Sequence, residues 1–272
     1  MTYYHFGEDV RIMTHPILDR PDVLQVLFHP RRDDGFDPID PTTRRVAVEV
    51  EPGVSVRGRL YPATPDSPVI LFFHGNGEIA ADYDYDASSF THLGISLLVI
   101  DYRGYGASDG KPTASTLLPD AVTVFDALSG IFTSNRLNPQ RVYVMGRSLG
   151  SAAAIEVALH AGNSIAGLII ESGFAWTFEL LARLGVAVQG VDEEQDGVGN
   201  LFKMSRITTP TLIIHSQDDV LIPAKHAREL YRCCAAQNKR LLLIANAGHN
   251  NIMILGREQY FPAIQQFVNP NG

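Results

Sequence analysis

The sequence predicts an α/β protein built on a mostly parallel eight-stranded sheet with helices on both faces. Three observations carry that expectation. Six short continuous apolar runs (VILFF, SLLVI, VYVM, GLII, TLII and LLLIA) begin at Val69 and are separated by helix-compatible stretches. Strands buried on both faces read this way, and their alternation with helices implies parallel βαβ units. Ahead of them, Arg45–Val50 and Val54–Tyr61 alternate in polarity around Pro52-Gly53, which is the pattern of an antiparallel hairpin. Finally, 272 residues with 45% hydrophobic content suffice for one domain with a sizeable core, spanning residues 1–272.

In chain order, MTYYHFGEDVRIM has neither a basic n-region nor a long apolar run, so no signal peptide is expected. DVLQVLFHP (Asp22–Pro30) is compatible with a short helix, and a polar, proline-bearing loop follows it. The rest of residues 1–45 carries no functional signal. A formal charge of −8 argues against a nucleic-acid partner, which would need clustered Lys and Arg. No segment approaches the roughly 18 apolar residues of a membrane span. Cys233 and Cys234 are adjacent, a poor geometry for a disulfide, so they read as free thiols and a cytoplasmic location is expected.

An open parallel sheet places its chemistry beyond the carboxyl ends of its strands. After VILFF comes His74-Gly75-Asn76-Gly77. Its glycines free backbone N–H groups in a way that suits an oxyanion hole, although an ordinary strand-to-helix turn has the same composition. His74 reads as structural. DYDYD (Asp82, Asp84, Asp86) imitates the start of a calcium loop but lacks its glycine and its terminal glutamate, so the aspartates are assigned to the first turns of a helix. The DYRGYG loop lacks the full glycine spacing of a dinucleotide fingerprint.

Arg141–Leu159 is the most informative stretch. A strand turns sharply through Gly146-Arg-Ser148-Leu-Gly150 into an alanine-rich helix, the pattern of a nucleophile elbow with Ser148 at its tip. The same pentapeptide pattern recurs at Gly106–Gly110, but without a preceding strand or an immediate helix, so context selects Ser148 over Ser108. After GLIIE, the apolar stretch Phe174–Val188 reads as a helix, either plain core or a short cap inserted at about 175–205. Phe174, Trp176, Phe178 and Leu180 are its candidate pocket residues. After TLIIH come Asp218 and Asp219, placed either to orient a histidine or to cap a turn. After LLLIA comes His249 on a glycine-containing loop. Of the other histidines, His215 reads as buried structure and His160 and His226 as helix surface. No HExxH or paired Cys/His spacing occurs, so no metal or other cofactor is expected.

HGNG, DYRGYGASDG, GRSLGS, HSQDDVLIP and AGHNN together resemble the small serine hydrolases of the α/β-hydrolase superfamily, in the acylhydrolase- or esterase-like branch with a short cap. The likeness runs from about Val69 to His249, and Ser216 departs from it where a glycine is usual. The resemblance implies the chain order Ser148, Asp219, His249 for a catalytic triad, with Asp219 preferred because it stands four residues after His215. It also implies an oxyanion hole from the backbone N–H groups of Asn76 and Leu149. The activity implied is hydrolysis of a carboxylic ester or thioester on a small-molecule acyl substrate, without a cofactor. A peptidase or amidase using the same triad, and a catalytically silent binding protein on this scaffold, are the alternatives.

Overall fold

A computed structural model of the chain describes residues 14–35 and 37–269. The signal-peptide expectation rests on the first thirteen residues and lies outside the described ones. One eight-stranded sheet organises the chain: β1 (Arg44–Glu51), β2 (Val54–Tyr61), β3 (Val69–Phe73), β4 (Ser96–Ile100), β5 (Val142–Arg147), β6 (Gly167–Glu171), β7 (Thr211–Ser216) and β8 (Lys239–Ile244). The spatial order is β1-β2-β4-β3-β5-β6-β7-β8, and every neighbouring pair from β4 to β8 is parallel. β2 runs antiparallel to both β1 and β4.

β3, β4, β6 and β7 are buried along their whole length, as continuous apolar runs require. β8 departs from that expectation. It is the sheet edge, and most of LLLIA is half-buried because helices cover it incompletely. Two apolar clusters fill the layers above and below the sheet, one containing Leu71, Phe73 and Ile170, the other Ile70, Phe72 and Ile169. The alternation of neighbouring residues between them follows from the two-residue period of a strand.

The helices are α1 (Pro21–Leu27), α2 (Ala87–Thr91), α3 (Ala114–Asp126), α4 (Leu128–Ser134), α5 (Gly150–Ala161), α6 (Thr177–Arg183), α7 (Asn200–Met204), α8 (Lys225–Cys233), α9 (Ile252–Leu255) and α10 (Arg257–Val268). No single helix among the described residues is long and apolar enough to cross a membrane. The apolar stretch 174–188 forms a shorter helix than its pattern predicts. Trp176 is extended ahead of α6, and Gly185, with φ +95°, takes the chain out of helical conformation behind it. The DYDYD aspartates meet the expectation in part: Asp82 stands in a first helical turn and Asp86 at the N-cap of α2, whereas Asp84 is held by an ion pair at a helix end. Asp82 lies in the first turn of a 3-10 helix (Ala80–Asp84), accepts the Ile79 N–H at 3.0 Å and pairs with Arg31 at 2.6 Å, while Asp84 ends that helix and meets Arg59 at 2.5 Å and the Tyr61 hydroxyl at 2.7 Å.

Candidate active site

The site is assembled at the carboxyl ends of β3, β5, β7 and β8. Ser148 follows β5 with φ +50°, a left-handed conformation that costs a non-glycine residue about 1–3 kcal/mol. The surrounding packing enforces it. A Cβ on Gly146 would stand 2.2 Å from the Gly150 carbonyl oxygen, and one on Gly150 only 2.1 Å from that of Phe73. Strand and helix therefore meet backbone to backbone, and the start of α5 lies directly against the end of β3 where HGNG begins. Leu149 is the N-cap residue of α5, so its N–H stands outside the helical ladder.

The three side chains singled out by chain order form one continuous relay. Ser148 Oγ lies 2.9 Å from His249 Nε2, and His249 Nδ1 lies 2.7 Å from Asp219 Oδ2. All three residues are buried. The other Asp219 oxygen accepts the backbone N–H groups of Leu221 at 2.9 Å and Ile222 at 2.7 Å. Burial alone would push the Asp219 carboxyl up, but its hydrogen bond with His249, the histidine's charge and the Ile222 N–H outweigh that and hold it below the usual carboxylate range. Asp218 points elsewhere and accepts the Asn246 N–H at 2.7 Å, closing the turn after β8. Ser216, the departure from the family pattern, donates to the Ala247 carbonyl and accepts from the Asp218 N–H at 3.1 Å, so it ties the aspartate loop to the histidine loop.

His74 is fully buried, 3.3 Å from Asp101, and Asp101 accepts the Ala80 N–H at 2.7 Å. These contacts anchor the segment that carries Asn76. The Asn76 side chain turns toward the N-terminal segment: its Oδ1 accepts from the His29 N–H at 2.8 Å and from the Tyr105 hydroxyl at 2.7 Å. Residues 14–33 are thus part of the site's surroundings, which the sequence reading missed. Leu18, Val23, Leu27 and Phe28 are buried in the main core, Asp19 accepts the Ala114 N–H at the start of α3, and α1 packs against α6. The i, i+4 spacing of Val23 and Leu27 is the one sequence signal that pointed there.

Of the candidate pocket residues, Phe174 and Leu180 are buried in the core, while Trp176 and Phe178 are half-buried against it. His226 corrects a surface assignment. It is fully buried, its Nδ1 accepts the Ala175 N–H at 3.1 Å, and the Trp176 ring meets it edge-on at 5.1 Å. His215 is buried as expected, 2.7 Å from the Ile222 carbonyl. Ser108 is also buried, its Oγ accepting from the Arg57 N–H at 2.7 Å and donating to the Asp101 carbonyl at 3.1 Å. A cleft of about 680 Å³ lined by Arg31, Asp33, Arg59, Asp82 and Asp84 shares no residue with the Ser-His-Asp relay.

A strained serine on a strand-to-helix elbow, joined to a histidine and an aspartate beyond later strands of this sheet order, defines an α/β hydrolase. The chain belongs to the α/β-hydrolase superfamily. The family described as serine aminopeptidase, S33, matches residues 64–191. Human alpha/beta hydrolase domain-containing protein 17B is 32% identical over 206 residues, covering 74% of this chain and 66% of that protein. An uncharacterized Mycobacterium tuberculosis protein is 28% identical over 239 residues, 84% of this chain and 80% of its own length. In fold, the chain is similar to the Pyrococcus furiosus esterase Pf2001, with a TM-score of 0.72, 20% identity, and coverage of 89% and 98% of the two chains. It is also similar to a soluble variant of Saccharomyces cerevisiae monoglyceride lipase, with a TM-score of 0.67, 14% identity, and coverage of 87% and 97%.

Proposed function

We propose that the chain is a serine hydrolase that cleaves a carboxylic ester or thioester through an acyl-enzyme. The observation that carries this reading is the unbroken relay from Ser148 Oγ through His249 to Asp219, at 2.9 and 2.7 Å. With its Nδ1–H donated to Asp219, His249 presents the Nε2 lone pair to the serine and takes the hydroxyl proton as Oγ attacks the acyl carbon. Asp219, fixed by two backbone N–H groups, stabilises the imidazolium. The oxyanion is received by the N–H groups of Leu149 and Asn76. The imidazolium then protonates the departing alkoxide or thiolate. Water attacks the acyl-enzyme with His249 again as base, releasing the acid and restoring Ser148. Phe178 and Trp176, on and just ahead of α6, contribute to the acyl pocket, with the 175–205 insertion as a short cap.

A peptidase or amidase is the second reading, and the S33 description of the matching family favours it. Turnover of short p-nitrophenyl esters beside aminoacyl-anilides separates the two. Ser148→Ala is expected to abolish both turnover and labelling by a fluorophosphonate probe. Ser108→Ala is expected to keep the label, because the Ser108 hydroxyl is buried and engaged with backbone. Labelling that survives Ser148→Ala and disappears in Ser108→Ala would overturn the assignment.

A further inference from the structure

A buried charged cluster beneath the relay has no part in the steps above. Arg147 directly precedes Ser148 and is only 6% exposed. Its Nε donates to Glu171 Oε1 at 3.0 Å, and its Nη1 to Glu78. Its Nη2 reaches the His249 carbonyl at 3.0 Å and Asn250 Oδ1 at 3.2 Å. Each carboxylate is anchored in turn. Glu171 accepts from the Tyr260 hydroxyl at 2.6 Å, and Glu78 from the Tyr83 hydroxyl at 2.7 Å. Glu78 also accepts the Gly75 N–H at 2.8 Å, which lies inside HGNG. The loop sits so close to the guanidinium that a Cβ on Gly75 would be 2.4 Å from Arg147 Nη1.

Burying such a cluster is costly, and apolar side chains of similar volume could replace it without loss of stability. What apolar packing cannot supply is direction. A planar guanidinium offers five N–H donors in a fixed fork, and each bond sets both the distance and the angle of its acceptor. Here the fork reaches three separate segments: the oxyanion loop through Glu78, the end of β6 through Glu171, and the histidine loop through the His249 carbonyl. All three are tied to the residue that precedes the nucleophile.

We propose that Arg147 is a positioning residue for acyl transfer, holding the His249 loop and the HGNG loop in one fixed geometry relative to Ser148. The inference rests on the serine-hydrolase reading above. It assigns to the second residue of G-R-S-L-G a role that the motif's glycines and serine leave open.

Arg147→Lys tests it. The charge is retained, so Glu171 and Glu78 keep a buried counter-charge, but a single ammonium cannot span three segments. With a short p-nitrophenyl ester, kcat is expected to fall about 100-fold while KM stays within about threefold, and fluorophosphonate labelling is expected to slow in parallel. A merely structural role would multiply with the loss caused by Asp219→Asn. The share of a positioning role that runs through the His249 carbonyl acts on the same histidine, so adding Arg147→Lys to Asp219→Asn should cost only the share exerted through the HGNG loop, about tenfold, instead of the full ~100-fold. Should Arg147→Lys fail to fold, Glu78→Gln still uncouples the guanidinium from the oxyanion loop. It is expected to lower kcat about tenfold at unchanged KM in a protein that still melts cooperatively, at a lower Tm because a buried partner of Arg147 is neutralised. Wild-type kcat in either folded variant, or fully multiplicative losses with Asp219→Asn, would overturn the proposal. A wild-type protein that neither turns over esters nor labels at Ser148 would instead sink the underlying reading, and this one with it.

Discussion

Asp218 and Asp219 are neighbours in sequence whose carboxylates do different work. Asp219 spends one oxygen on His249 and the other on two backbone N–H groups, whereas Asp218 closes a turn through Asn246. Asp219→Asn is therefore expected to leave the fold intact and lower kcat roughly 10⁴-fold, as neutralising a triad acid does. Asp218→Ala is expected to cost less than about tenfold in kcat and, through loss of its hydrogen bond from the Asn246 N–H, about 1 kcal/mol of stability. Steady-state kinetics and melting curves on the two variants decide the matter, and the reverse ranking of kcat losses would move the acid to Asp218. Ser148, His249 and the pair Asp218-Asp219 stood out in the sequence because each follows an apolar run at a strand's carboxyl end, whereas the preference for Asp219 came from the family resemblance. Arg147 did not stand out, since nothing in its neighbours indicates that Glu78, Glu171 and the His249 carbonyl converge on it.

At the scale of elements, the β5–α5 elbow was readable because its close approach forces small residues at Gly146 and Gly150, and the structure gives neither room for a Cβ. α6 was harder. Its apolar pattern ran on to Val188, but Gly185 ends helical conformation early, and the fragment is secured by distant groups. Glu193 accepts the Thr177 and Phe178 N–H groups at 2.5 and 3.1 Å, and the Thr177 hydroxyl accepts the Val198 N–H at 3.0 Å. If α6 walls the acyl pocket, Phe178→Ala should shift preference along a graded series of acyl esters by about tenfold in kcat/KM while acetate and butyrate esters are still cleaved. Equal losses on every ester, together with a lowered Tm, would mark Phe178 as plain core.

At the scale of the whole molecule, burial pushes down the pKa values of three histidines among the described residues: half-buried His15 and fully buried His215 and His226. For His226, desolvation lowers the value from 6.5 to about 4, against the opposing pull of Glu179. The folded chain then resists a proton that the unfolded chain accepts. The stability this contributes is complete above pH 6.5 and is lost as the pH falls from 6.5 toward 4. Tm is expected to drop across that window. His226→Asn, which keeps an acceptor for the Ala175 N–H, should flatten the slope without removing it, because His15 and His215 titrate in the same sense. An unchanged slope in melting curves recorded between pH 7.5 and 4.5 would show that His226 does not contribute.

The sequence by itself determined the apolar strands, the hairpin and the elbow that carries Ser148, because strand periodicity and tight turns are written in residues close together along the chain. The tertiary structure decided what depends on residues far apart. It placed α1 and His29 against the Asn76 loop, buried His226 beneath Trp176, separated the tasks of two adjacent aspartates, and gathered Glu78, Arg147, Glu171 and His249 around one guanidinium. Local pattern reports which face of an element is buried. It cannot report which polar groups meet there, because that depends on how strands β3, β5, β6 and β8 are laid side by side.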